Sequence, residues 1–126
     1  MSSFSFNEMA IKESESSFQK LQIVPEQNRR VTAISKVISD YTGLSLLATK
    51  GFFWKAFKEW QIENKKPATY ILEAPPDKQK ELVKEIFSKI TRYLERILKD
   101  PNDKARLERA MNQAYEYYLK HFYSSS

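Results

Sequence analysis

The chain has 126 residues, a length that suits one domain with a single core and not two. Hydrophobic residues make up 41% and charged residues 29%, which separates it from disordered chains, and only 2 glycines and 5 prolines argue against a turn-rich β-sandwich or a glycine-rich phosphate loop. The lack of cysteine excludes disulfides, thiolate metal ligands and cysteine nucleophiles, while the formal net charge of +5 raises the weight of acidic partners, nucleic acid included.

Residues 1–17 are rich in serine and acids, with Phe4, Phe6, Met9 and Ile11 scattered through them. They read as an arm or a marginal first helix that docks through these four apolar side chains. The stretch has no basic start and no continuous apolar block, so no secretory signal is expected. Residues 18–24 read as extended or as the end of a short helix, because Leu21 and Ile23 alternate with polar neighbours. The expected organisation is therefore an N-terminal arm or short helix over residues 1–24 and a helical domain over residues 25–126.

Proline favours a first helical position, and Pro25 is followed by Glu26 and then by Val31, Ile34, Val37, Ile38 and Tyr41 at helical spacing. Gly43 ends that helix, glycine being the residue that best tolerates a left-handed cap. A second helix falls within residues 44–64, with a break allowed at Gly51 and a core face of Phe53, Ala56, Phe57 and Trp60. Residues 65–76 read as a connection, since the Pro75-Pro76 pair cannot lie inside a helix.

The clearest signal is at residues 77–99. Leu82, Val83, Ile86, Phe87, Ile90, Tyr93, Leu94, Ile97 and Leu98 form one wide apolar stripe that must lie against other helices. Asp77 is expected to cap this helix, Asp100-Pro101-Asn102 to stop it, and Asp103 to cap a final helix bearing Leu107, Ala110, Met111, Ala114, Tyr118 and Phe122. A short link makes the last two helices a long antiparallel pair. The expected fold class is all-α, a compact bundle of about four helices with a loosely docked N-terminal arm. The longest apolar run falls far short of the ~20 residues a spanning helix needs, so a soluble, cytoplasmic protein is expected.

General acid–base and nucleophilic catalysis need a matched set of groups, usually with histidine. The one histidine, His121, sits in the last turn of the last helix, where the helix dipole favours it. No usual zinc set, no Glu-x-x-His pair, no Gly-x-Ser-x-Gly elbow and no phosphate-loop motif occurs in the sequence. The expectation is a non-enzymatic protein with no cofactor and no metal site.

Two surfaces stand out as candidates. Five large aromatics crowd residues 52–60, and they cannot all face one way on a helix. Phe52, Trp54 and Trp60, with Tyr117 from the last helix, are the expected partner-binding residues, because exposed large aromatics are enriched at interfaces. The partner expected is a protein or a second copy of the chain. Aromatics interleaved with lysine also suit a membrane surface, a lesser alternative. Lys65, Lys66, Arg92, Arg96 and Lys99 form the other candidate, a basic face for nucleic acid. Much of its charge has a local explanation, since Glu85–Lys89 and Glu95–Lys99 stand four residues apart. Residues 37–45 are similar in outline to the first helix and glycine turn of a helix-turn-helix. Ser39 replaces the usual small alanine, and Gly51 followed by Phe52-Phe53-Trp54 interrupts the reading helix, so no family is named on it.

Overall fold

A computed structural model describes residues 21–123, and five helices follow in chain order among these described residues. These are α1 (Pro25–Thr42), α2 (Leu46–Asn64), the single-turn α3 (Tyr70–Glu73), α4 (Pro76–Ile97) and α5 (Pro101–His121). No strand occurs among the described residues. The expectations for Phe4, Phe6, Met9 and Ile11 lie outside them, and residues 21–24 belong to no helix or strand.

Proline opens α1, α4 and α5, where its fixed φ suits the first turn and its missing N–H is no loss. Two expected caps sit elsewhere. Helix α4 starts at Pro76 with no side-chain cap, which leaves Asp77 inside the first turn. In α5 the cap is Asp100, whose carboxylate accepts from the Asn102 N–H at 2.9 Å; Pro101 at the first position draws the start three residues ahead of Asp103. Ser45 caps α2 by accepting from the Ala48 N–H at 3.1 Å. Within the expected connection, residues 70–73 wind into α3.

The two glycines make opposite demands. Gly43 takes φ +81° to end α1, as expected of a left-handed cap, and its N–H bonds the Ser39 carbonyl. Gly51 does not break α2, which runs straight through it, and nothing stands within 4 Å of where a Cβ would be. Gly51→Ala should therefore stabilise the protein by about 0.5–1 kcal/mol through the unfolded chain's lost freedom. Gly43→Ala should destabilise it by about 1 kcal/mol, because the same methyl is strained at positive φ. Urea unfolding of the two variants checks both signs.

Side-chain pairings set the directions of the helices. The start of α1 meets the end of α2, where Gln27 donates to the Ala68 carbonyl just beyond it. Along α2 and α4, Phe52 stacks near Tyr93 while Trp60 bonds Glu85, so these helices are antiparallel. Tyr118, late in α5, donates to Gln79, early in α4, which makes the last two helices the antiparallel pair expected. Each long helix thus runs against its neighbours, in the ring order α1, α2, α4, α5. The α1–α2 turn and the α4–α5 turn consequently share one end of the bundle.

The core is drawn from all four long helices, with Val31, Ile34, Ile38, Phe53, Ala56, Phe57, Leu82, Ile86, Ile90, Leu94, Leu107 and Ala114 buried. Small residues set the closest seam: Ser35, Ala110 and Ala114 are fully buried where α1 lies on α5. The stripe of α4 behaves as its period requires, apart from one residue. Ile86 and Ile90 are buried, but Ile97 is 51% exposed. It is the last residue of α4, and the chain turns away before another helix covers it.

Candidate functional site

The structure separates the four aromatics expected to form one surface. Trp60 is only 2% exposed; its indole N–H donates to Glu85 Oε2 at 3.0 Å and its ring stacks on Tyr70. A buried ring cannot be offered to a partner, so Trp60 is corrected to a core residue. Phe52 and Trp54 are half-buried and pack against the core. Phe52 faces Tyr93 of α4, and Trp54, two residues on and about 200° round the helix, lies on another flank beside Phe57. Tyr117 is half-buried on α5, with its ring 4.1 Å from that of His121. Since α2 and α5 are diagonal in the bundle, these rings do not form a single patch.

The basic set is divided as well. Lys65 and Lys66 lie just past the end of α2, and Lys66 sits over the Tyr70 ring. Arg96 and Lys99 lie toward the opposite end of the bundle. Between them runs a stretch of the α2–α4 seam of mixed sign, with Glu59, Glu63, Glu81 and Glu85 among Lys84, Lys89 and Arg92. A groove that tracks phosphates needs a continuous run of cations, and this one is interrupted.

Lys89 is the residue whose place the sequence least suggests. Its expected i,i+4 partner Glu85 bonds Trp60 instead, and Lys89 turns inward to 8% exposure. Its ammonium meets Glu63 at 2.5 Å and Glu59 at 3.7 Å across the helix gap. Glu59 also accepts from the Tyr93 hydroxyl at 2.5 Å. Burial first, and then this bond, push the Tyr93 phenol well above its ordinary value. The cluster holds α2 to α4 with every polar group paired, and its chemistry is that of a clamp.

A second clamp closes the end where α1 begins. Glu26 accepts from Arg29 at 2.7 and 3.0 Å and from Arg30 at 3.1 Å, both guanidinium groups lie over Phe122, and Arg30 also reaches the Tyr118 hydroxyl. Hydrogen bonds from Arg29, then Arg30, hold the Glu26 carboxyl down at about 2 against an ordinary 4.5. A depressed carboxyl stabilises the fold above its unfolded value and stops doing so as pH falls through its folded one. The stability of the wild-type chain should therefore decline between pH 4.5 and about 2, and Glu26→Gln should remove that part of the slope. Urea midpoints across this window, with a carbon-detected NMR titration of Glu26, check the sign.

Among the described polar groups, Gln27 Oε1 is buried without a partner, and Gln27 lines a central apolar cavity with Ile34, Phe57, Ile86 and Phe87. The cavity holds about 50 Å³. That is well below the ~150 Å³ of an engineered apolar cavity able to take up benzene, so it is a packing void and not a ligand site.

The most distinctive surface is the bundle end that carries the two turns. Six large hydrophobics are exposed among the described residues, and Tyr41, Leu46, Leu47 and Ile97 all belong to this end. Leu47 is 81% exposed. No protein family, curated protein or solved structure matches the chain. Among the described residues, no helix is long and apolar enough to cross a membrane, and no group of metal-binding side chains occurs.

Proposed function

We propose that the protein is a cytoplasmic, non-enzymatic interaction module, an adaptor, regulator or assembly factor, which docks a protein partner through the apolar end of its bundle. One observation carries this reading: Leu46, Leu47 and Ile97 are exposed at the bundle end of the two turns, Leu47 by 81%, while Tyr41 opens onto the adjoining α1–α5 flank beside Tyr117 and His121. An isolated exposed leucine is ordinary, whereas a shared apolar end marks an interaction site. The charges around it favour a protein over lipid or nucleic acid. Lys50, Arg96 and Lys99 are answered by Asp40 and Glu95, so the rim has no single sign.

This moves the docking surface from the aromatic residues of α2 and α5 to the ends of α1, α2 and α4. The test is the double variant Leu47→Asp, Ile97→Asp. Both side chains are exposed, so the melting temperature should stay near that of the wild type. Partner co-isolated from the cells that make the protein should fall by about tenfold or more, the effect of losing about 1.4 kcal/mol or more at an interface. Unchanged co-isolation of the same partner by a folded double variant overturns the reading. Sedimentation of the purified chain at several concentrations decides whether the partner is a second copy.

A further inference from the structure

We draw no further inference here: the strongest candidate, the exposed apolar patch of Leu46, Leu47 and Ile97 at the bundle end that carries the two turns, belongs to the docking site already described, and nothing in the structure shows what covers it.

Discussion

Trp60→Ala should destabilise the protein by about 4 kcal/mol, within the range for deleting a buried tryptophan, and should cost more than any single surface change described above. Trp60 is among the largest fully enclosed side chains of the bundle. Its removal opens a void that the surrounding core side chains, held by their own helices, cannot collapse into. It also deprives Glu85 of its indole donor and Tyr70 of its stacking partner. Trp60→Phe separates these effects: most of the apolar area remains and the N–H is lost, so a cost of about 1–2 kcal/mol is expected. Chemical denaturation with the slope held common gives both values. A Trp60→Ala variant within about 1 kcal/mol of wild type would show that the ring is not enclosed as described.

The second large effect is asymmetric across the Lys89 clamp. Glu59→Ala with Glu63→Ala strips the buried ammonium of both partners and the Tyr93 hydroxyl of its acceptor, and should cost about 3 kcal/mol. Lys89→Met retains the packed stem and leaves two glutamates that are already half in water. It should cost less than about 1 kcal/mol. The contrast follows from where each charge sits. Leaving a charge unpaired is expensive in proportion to its burial, and only the lysine is buried. Equal costs for the two variants would contradict the geometry.

Helix content was plain in the residues because the apolar period of α4 and α5 admits little else, and Pro25 and Gly43 bracket α1 by backbone preferences that need no partner. The caps were less plain. Asp77 and Asp103 have the right chemistry, yet the prolines set the first turns: Pro76 starts α4 with no side-chain cap, and Pro101 starts α5 behind the Asp100 cap. Gly51 marked a break only by propensity, and α2 continues because packing at Phe53, Ala56 and Phe57 exceeds the roughly 1 kcal/mol that glycine costs. Lys89 illustrates the limit of local pairing rules. An i,i+4 glutamate competes with two from another helix, and which wins depends on an inter-helix register that no single-helix pattern contains.

The candidate site shows the same limit. Aromatic surplus in residues 52–60 pointed to a surface, but Trp60 and Phe52 turn out to face α3 and α4 across the bundle. Ile97 is fifty residues from Leu47 in the chain, and Tyr41, Leu46, Leu47 and Ile97 each read alone as an ordinary core residue of its helix. Their common exposure arises from two turns meeting at one end, which is a property of the topology.

The most direct test of the docking account places a photo-crosslinking amino acid at Leu47, at Ile97 and, as a control on the outer face of α5, at Glu108, in the cells that make the protein. The account predicts one discrete adduct of the same size from Leu47 and Ile97 and none from Glu108, lost from the Ile97 position when Leu47 is replaced by aspartate. Adducts formed equally at all three positions, or only at Glu108, would contradict it.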